Sequence, residues 1–414
     1  MTLAPRDGLE DVWRRESPHV LGALLRRHRD LEDCEDAAQE ALAAASVQWP
    51  RDGTPDNPRG WLIRVASRRL VDHIRAERAR AGREKADAGA RPPALAAPAA
   101  DADQPPTDDS LQLVLLCCHP SLTRPSQVAL TLRAVSGLTT AQVAAAFLVP
   151  ESTMAQRLSR ARASLRAAGA TFARPSASEL PERVAAVLDV LHLVFNEGYT
   201  ASSGSALVDD ELTGEAIRLT RQLRQALPDH DEVAGALALM LLTQARQATR
   251  TDGSGDLVPL AEQDRTRWDA DLVAEGVALL ELVLPRGHVG RFQLQAAITA
   301  VHAEALTWAA TDWPQISRLY AMLERVAPGP AVTLNRAVAV AMAEGPGAGL
   351  AMVEALLADP AMQRYHRSFA ARAHLLELVG DAEGAARDYA RAASLTASLP
   401  EQRYLSRRAA ALTR

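Results

Sequence analysis

Cysteines, aromatic residues and long apolar runs are all scarce in this chain. Of its 414 residues only three are cysteines, Cys34, Cys117 and Cys118, and no two of them form a C-x-x-C pair. This excludes a disulfide framework and indicates a reduced, intracellular setting. We interpret Cys117-Cys118-His119 as small core side chains rather than a metal site, and we expect neither a metal nor a cofactor.

Signals for secretion or membrane insertion are also lacking. No basic segment followed by an apolar stretch opens the chain, and no apolar run approaches the ~18 residues that cross a bilayer. We therefore expect a cytoplasmic protein with no membrane contact. Alternation of β-branched with polar residues is nearly absent, which predicts an all-α fold. Hydrophobic residues form 48% of the chain, enough for the cores of about two to four domains.

Charge is distributed unevenly, although the formal net charge is only −5. Residues 61–85 hold eight Lys and Arg against three Asp and Glu, and residues 119–174 hold seven against one. Residues 175–414 hold 22 against 30. The two basic segments match the electrostatic demand of a nucleic-acid backbone, whereas the acidic half is expected to face protein or solvent.

Breaks in helical periodicity divide the chain into four parts. Residues 11–85 and 109–173 are predicted helical blocks, and residues 86–108 between them consist mainly of Ala, Pro, Asp and Gly. Such a segment buries too little apolar surface to offset its ordering entropy, so it predicts a flexible linker. A longer helical block covers residues 180–414.

The segment Gly137 to Arg166 has the pattern of a helix-turn-helix. Leu148-Val149-Pro150 separates two short helical patterns, and Pro150 suits the start of the second. In that second pattern apolar residues recur at helical spacing: Met154, Leu158, Ala161 and Leu165. The opposite face carries side chains of the types that bind base edges and phosphates in a major groove: Ser152, Thr153, Gln156, Arg157 and Arg160. A buried helical hairpin with a solvated rim is the alternative for this stretch alone.

Two further amphipathic patterns lie in the first block. LEDCEDAAQEALAAA, residues 31–45, has an acidic and amide face that suits docking onto a basic protein helix, and a solvated helix surface is the alternative. WLIRVASRRLVDHIR follows the loop from Trp49 to Pro58 and places apolar residues every four positions, with arginines on a separate stripe. A basic helix near an aromatic side chain can hold phosphates and stack bases, although Trp61 is equally interpretable as a core anchor.

These segments, in this order, resemble the extracytoplasmic-function (ECF) sigma factors of bacterial RNA polymerase. DAAQEAL resembles the part of sigma region 2 that docks on the polymerase, and DNPRGWLIRVASRRLVDHIR resembles the part that opens and reads the −10 promoter element. LTTAQVAAAFLVPESTMAQRLSRAR resembles region 4, which reads the −35 element. LPERVAAVLDVLHLVFNEGYTAS and VTLNRAVAVA resemble a subgroup with a long helical C-terminal extension comparable to tetratricopeptide repeats.

The resemblance implies a sigma factor that directs promoter-specific initiation with the β and β′ subunits of core RNA polymerase and is regulated through its own C-terminal domain. It implies core polymerase contacts from Asp33, Asp36, Gln39 and Glu40. It implies contacts at the −10 strand from Asn57, Arg59, Trp61, Arg64, Arg68, Asp72 and Arg75. It places Thr153, Gln156, Arg157 and Arg160, next to Ser152, in the −35 groove. Leu148 stands where many relatives have Gly, which predicts a different turn geometry.

The C-terminal part also carries a weak internal repeat. AMAEGPGAGLAMVEALLADP and ELVGDAEGAARDYARAASL align at a 35-residue offset, which pairs Gly345 with Gly380 and Gly349 with Gly384. This predicts solenoid-type helix hairpins over about residues 300–410, with a surface for a protein or peptide partner.

Two other functions fit parts of the chain. One is a helix-turn-helix transcriptional regulator with a peptide-binding solenoid domain. The other is a hydrolase tethered to DNA, with Glu197 and Asp264 as candidate acid–base groups. No nucleophile motif, phosphate-binding glycine loop or metal-ligand spacing accompanies those carboxylates. We therefore expect that the protein is not an enzyme.

Overall fold

The all-α prediction is confirmed, since 75% of the structure is helical. The structure, a computed structural model, describes residues 5–84, 109–147, 149–173, 175–201, 203–204 and 207–413. The predicted linker, residues 86–108, and the turn residue Leu148 lie outside the described residues.

The described residues form a series of α-helices along the chain. They are α1 (Pro5–Leu25), α2 (Leu31–Asp52), α3 (Pro58–Glu84), α4 (Ser110–Cys117), α5 (Arg124–Ala134), α6 (Thr140–Ala146), α7 (Glu151–Ala167), α8 (Leu180–Tyr199), α9 (Asp210–Ala226), α10 (Asp231–Gln244), α11 (Ala270–Val283), α12 (Arg291–Glu304), α13 (Trp313–Val326), α14 (Pro330–Glu344), α15 (Pro346–Leu356), α16 (His366–Leu378), α17 (Ala382–Leu395) and α18 (Leu399–Leu412). Two strands of two residues each, β1 (Ser203–Gly204) and β2 (Ala397–Ser398), pair in parallel.

Aspartate side chains begin several of these helices. Asp30 accepts hydrogen bonds from the backbone N–H groups at the start of α2, and Asp209, Asp269 and Asp381 do the same for α9, α11 and α17. Each carboxylate satisfies N–H groups that have no partner within the helix and interacts favourably with the positive end of the helix dipole.

Backbone contacts divide the chain into two units, residues 1–190 and 191–414, and the division falls inside α8. In the first unit α1 packs against α2 and α3 on one side and against α4 and α5 on the other. The two predicted blocks, 11–85 and 109–173, therefore lie in one unit. Whereas the sequence predicted that the extension begins at residue 180, residues 180–190 belong to this first unit.

Buried contacts explain why the beginning of α8 joins the first unit. Val184 and Val187 are fully buried. The Arg183 guanidinium donates to the Leu115 carbonyl oxygen at 3.0 Å. Arg124 donates to the Ala186 carbonyl oxygen at 3.0 Å and pairs with Asp189 at 2.6 Å. The beginning of α8 thus completes the packing of α4 and α5.

The loop before α3 is shorter than the sequence predicted. It was expected to run from Trp49 to Pro58, but α2 continues through Pro50 to Asp52. Trp49 is buried and packs edge-on against Trp61, with ring centroids 5.4 Å apart. This aromatic contact holds the last turn of α2 in place despite the proline.

The second unit has a chain of hydrophobic clusters in its second half, from α12 to α18. The first joins α12, α13 and α14, the second joins α14, α15 and α16, and the third joins α16, α17 and α18. Because α14 and α16 each contribute to two clusters, every helix pair packs mainly on its neighbours, as in a helical solenoid. The glycines paired by the 35-residue offset, Gly345 and Gly380, both have positive φ, 111° and 87°, and both precede a helix.

Every helix within the described ranges is too short or too polar to span a lipid bilayer.

Candidate polymerase and nucleic-acid interfaces

Helix α7 has one buried face and one exposed face, as the sequence predicted for the second helix of a helix-turn-helix. Met154, Leu158, Ala161 and Leu165 are each less than 5% exposed and anchor the helix on the rest of the unit. The opposite face brings together the predicted −35 residues Ser152, Thr153, Gln156, Arg157 and Arg160.

The two arginines of this face are held by uncharged neighbours. The Arg157 guanidinium lies 5.2 Å from the ring centroid of Phe147, the residue just after α6, and makes a cation–π contact with it. Arg160 donates to the Gln156 side-chain oxygen at 3.3 Å. Neither arginine pairs with a carboxylate among the described residues, so both positive charges remain available to an anion. A guanidinium in this state is suited to a phosphate or to the acceptor edge of guanine.

The predicted −10 residues lie on the exposed face of α3 and around its first turn. Its buried stripe is Leu62, Ala66 and Leu70, each fully buried. Arg64, Arg68, Asp72 and Arg75 lie on exposed positions. Arg75 and Asp72 are 3.9 Å apart and well solvated, so their pairing is weak.

The three remaining −10 candidates hold the start of α3 together. The Asn57 side-chain oxygen accepts a hydrogen bond from the Gly60 N–H at 2.9 Å and so caps the helix. Arg59 donates to the Glu16 carboxylate of α1 at 2.6 Å. Trp61 is half-buried against Trp49. These side chains have structural partners in the protein, a role that the sequence offered as an alternative only for Trp61.

The predicted polymerase face of α2 is open to solvent. Asp36 and Glu40 are exposed, and Asp33 and Gln39 are half-buried. Glu40 lies 3.6 Å from Arg69 of α3, and both side chains are more than half exposed. Two exposed carboxylates, those of Asp36 and Glu40, therefore face solvent, and such a face suits a basic or polar partner surface.

A buried ion pair joins α2 to α7, and sequence reasoning missed it. The Glu35 side chain is 4% exposed and accepts from the Arg162 Nε at 2.6 Å. Burial raises the pKa of the Glu35 carboxyl above its ordinary value, although the Arg162 and Arg133 guanidinium groups lower it. The signal in the sequence is that Glu35 follows Leu31 by four residues and so falls on the apolar stripe of α2, where a carboxylate needs a buried partner.

Further contacts between the same two blocks surround this ion pair. Arg166 of α7 pairs with Asp30 at 2.6 Å and with Glu32 at 3.0 Å. Arg26, just after α1, pairs with Asp109 just before α4. The Trp13 indole N–H donates to the Gly137 carbonyl oxygen at 3.2 Å. The helices that carry the predicted polymerase face and the predicted −35 face are thus bonded to each other.

The other candidate sites have structural roles. Hydrogen bonds from the Thr266 hydroxyl and N–H lower the pKa of Asp264, which suits a helix cap rather than a general acid. Cys117 and Cys118 are fully buried, and burial raises the pKa of the Cys118 thiol to about 12. Burial thus disfavours the charged thiolate form of both cysteines.

Comparison with known proteins identifies three segments of the chain. Residues 12–80 match Sigma-70 region 2, residues 112–165 match Sigma-70, region 4, and residues 183–284 match a family of unknown function, DUF6596. An uncharacterised protein of Rhizobium meliloti (strain 1021) is 40% identical over 397 residues, which cover 94% of this chain and 92% of that relative. A probable ECF RNA polymerase sigma factor, SigI of Mycobacterium tuberculosis, is 30% identical over 164 residues, which cover 39% of this chain and 55% of that protein.

The two sigma regions lie in the order that the sequence predicted and on the helices that carry the exposed faces. The chain belongs to the ECF-type RNA polymerase sigma factors and has a long C-terminal extension. It is therefore a transcription initiation factor that associates with core RNA polymerase and promoter DNA. A helix-turn-helix regulator that lacks a sigma role is not favoured, because region 2 matches as well as region 4.

Proposed function

We propose that this sigma factor grips its promoters at two places, with α3 at the −10 element and α7 at the −35 element. The observation that carries the proposal is a pair of arginine rows in which Arg64, Arg68 and Arg160 are exposed and Arg157 is half-buried against Phe147. Arg64 and Arg68 on α3, and Arg157 and Arg160 on α7, have no carboxylate partner among the described residues. On each helix a buried apolar stripe lies on the opposite face, so the arginine row faces away from the core and presents positive charge at the surface.

At the −35 element, the polar side chains of α7 divide between bases and backbone. Ser152, Thr153 and Gln156 are exposed and suit hydrogen bonds to base edges. Arg157 and Arg160 add guanidinium groups that bind guanine or phosphate. Because α7 is held by four buried side chains, these groups enter a groove as one rigid surface.

At the −10 element, we propose two kinds of contribution. Arg64, Arg68, Asp72 and Arg75 are exposed and contact the DNA strand directly. Asn57, Arg59 and Trp61 hold the loop before α3 in shape through the partners described above, and the half-exposed indole of Trp61 offers a surface for a base.

The polymerase contact is proposed for the open acidic face of α2, formed by Asp33, Asp36, Gln39 and Glu40. In this proposal the second unit regulates the sigma activity and receives a protein or peptide partner on its stacked helix hairpins. The protein acts in the cytoplasm and is not an enzyme. The excess of Asp and Glu in residues 175–414 supports a protein rather than a DNA partner for this unit.

Reconstitution with core RNA polymerase tests the proposal. The full chain should copurify with the β and β′ subunits and direct initiation at discrete start sites, which transcript mapping identifies. Asp36→Ala with Glu40→Ala should weaken copurification, whereas Glu383→Ala, which removes an exposed carboxylate of α17, should not. A chain that binds duplex DNA but neither retains the polymerase subunits nor directs any initiation would contradict the proposal.

Regulation by the extension is tested with a truncated chain. The truncated chain should end after Val190 rather than near Ala173, because Arg183 bonds to α4 and Arg124 of α5 bonds to Ala186 and Asp189 of α8. Removal of residues 191–414 should change initiation in the reconstituted assay. An unchanged level of initiation would contradict a regulatory role of the second unit.

A further inference from the structure

A polar groove lies between the segment that leads into α5 and the outer face of α7. Its volume is about 450 Å³. One wall carries the side chains of Ser121, Thr123 and Ser126, and the other carries Arg157, Arg160 and Ser164. The groove therefore begins on the predicted −35 face and continues beyond it, onto residues that the comparison with sigma factors does not assign.

The groove has the chemistry of an anion site. Its lining contains two guanidinium groups and several hydroxyl groups, and none of its lining residues is a carboxylate. The Thr123 hydroxyl donates to Ser126 Oγ at 3.0 Å, which leaves the Ser126 proton for a ligand, and the Ser121 hydroxyl contacts His119 Nδ1 at 2.8 Å. Arg157 is stacked on Phe147 and Arg160 is held by Gln156, which limits the motion of both cations.

We infer that this groove binds a backbone phosphate of the duplex that α7 reads. Ser126, which accepts from Thr123 and keeps its own proton, donates a hydrogen bond to that phosphate, and Ser121 donates a second one in exchange for its contact with His119. The inference rests on the proposed −35 role of α7. A phosphate diester has acceptor oxygens and a negative charge, so hydroxyl and guanidinium donors suit it, and such contacts set register without reading bases. Because Thr153, Arg157 and Arg160 line the groove and also belong to the −35 face, DNA occupies both together, which favours DNA over an acidic peptide.

Salt dependence separates the hydroxyl wall from the arginine wall. The full chain is titrated against a fluorescent mixed-sequence DNA duplex about 30 base pairs long, at salt concentrations between about 50 and 200 mM. The variant Ser121→Ala, Thr123→Val, Ser126→Ala should bind about tenfold more weakly at every salt concentration, with an unchanged salt slope, because neutral hydroxyls displace no counterions. Arg160→Ala should weaken binding and also reduce the slope by about 0.9. Ser46→Ala, which removes an exposed hydroxyl of α2, should leave binding unchanged.

The fold is expected to survive these changes. The Thr123 side chain makes no capping hydrogen bond to the backbone of α5, and Ser121 is exposed. Ser121→Asp provides a second variant, which places a carboxylate at the groove and should weaken binding more than the triple variant while leaving the circular dichroism spectrum unchanged.

The outcomes separate this inference from the proposed function. If Arg160→Ala weakens binding but the triple variant and Ser121→Asp bind as the unmodified chain does, the groove holds no phosphate and the −35 role of α7 stands. If none of the variants changes binding, the −35 role of α7 fails together with this inference. A triple variant that loses affinity for a polyglutamate peptide but keeps its affinity for DNA would also overturn the inference.

Discussion

Arginine is used differently in the two units of this sigma factor. In residues 1–190, Arg64 and Arg68 of α3 and Arg157 and Arg160 of α7 have no carboxylate partner among the described residues. In residues 191–414, the carboxylates of several helices hold arginines in place. Arg372 pairs with the buried Asp388, Arg336 with Glu324, and Arg408 with Glu377, while Asp256 receives both Arg403 and Arg407.

This difference indicates where each unit directs its charge. An arginine already bonded to a carboxylate must break that pair before it can bind a phosphate, so these arginines of the second unit are poorly suited to DNA. In the first unit, carboxylates of α2 and of Asp30 just before it pair with Arg162 and Arg166 of α7 and join the two helices. Four arginines on the outer faces of α3 and α7 remain without a carboxylate partner among the described residues.

The largest effect is expected from breaking the buried ion pair of the first unit. Arg162→Ala leaves the Glu35 carboxylate buried without its partner and should lower the free energy of unfolding by about 3–5 kcal/mol. The exposed pair Arg387 and Glu383 of the second unit is the matched control, and Arg387→Ala should cost at most about 1 kcal/mol. Hydrogen exchange of the full chain should show loss of protection in α2 and α7. Equal costs for the two variants would show that the joint is as weak as a surface pair.

A second comparison replaces one glycine in each unit. In the first unit the glycine is Gly137, which lies beside Ser17 and Trp13 of α1. Gly137 has a φ of 68°, and a Cβ there would meet the Ser17 hydroxyl at 2.7 Å. Gly380 in the second unit has a φ of 87°, with nothing within 4 Å of such a Cβ. Gly137→Ala should therefore lower unfolding free energy by about 3 kcal/mol, from strain and overpacking, and Gly380→Ala by about 1 kcal/mol, from strain alone. Thermal unfolding of the full chain measures both, and a cost for Gly380→Ala equal to that of Gly137→Ala would contradict the close contact.

We expect acid to lower the stability of the second unit, because His302 takes up a proton more readily in the unfolded chain than in the folded one. Burial lowers the pKa of His302 from 6.5 to about 3, and Arg246 and Arg265 add to the shift. The unfolded chain binds a proton as the pH falls through 6.5, whereas the folded state does not, so stability falls below that pH. At pH 5 the loss from this group is about 2 kcal/mol. His302→Phe keeps an aromatic ring beside Trp308 and Trp313 and should reduce the fall in melting temperature between pH 7 and pH 5. An unchanged pH dependence would show that other groups cause the fall.

The smallest effect is expected for the free arginines of α3. Arg64→Ala with Arg68→Ala should reduce open-complex formation by the reconstituted holoenzyme about tenfold and make it less sensitive to salt, because two phosphate contacts are lost. Arg387→Ala changes the net charge of the second unit and should leave initiation unchanged. If both variants reduced initiation equally, general charge rather than the α3 face would be responsible.

Much of this organisation could be predicted from the sequence because it depends on local spacing. Leu62, Ala66 and Leu70 recur every four residues, and all three are fully buried. Met154 and Leu158 anchor α7 in the same way. Once such a stripe is known, the residues on the opposite face are known too, so the arginine rows of both helices could be named from periodicity.

The extension was partly predictable for a similar reason. Gly345 and Gly380 both have positive φ and lie just before helices, at matching places in successive hairpins. A backbone position with positive φ favours glycine. The beginning of α8 was not predictable, because residues 180–190 have an ordinary amphipathic pattern that does not say which unit buries them. The structural roles of Asn57 and Arg59 were not predicted. Asn57 bonds to the Gly60 N–H only in the folded loop, and Arg59 bonds to Glu16 only once α1 packs beside α3.

The helices, their buried faces and the order of two sigma regions and an extension follow from residue spacing within a few turns of helix, so they could be predicted without coordinates. Which charges are paired depends on packing between distant segments. Glu35 and Arg162 are 127 residues apart in sequence, and no local pattern relates them. Their pairing depends on where α2 and α7 meet, and burial there makes the pair costly to break. Arg64, Arg68, Arg157 and Arg160 stay without a carboxylate partner because the packing of the described residues places none beside them.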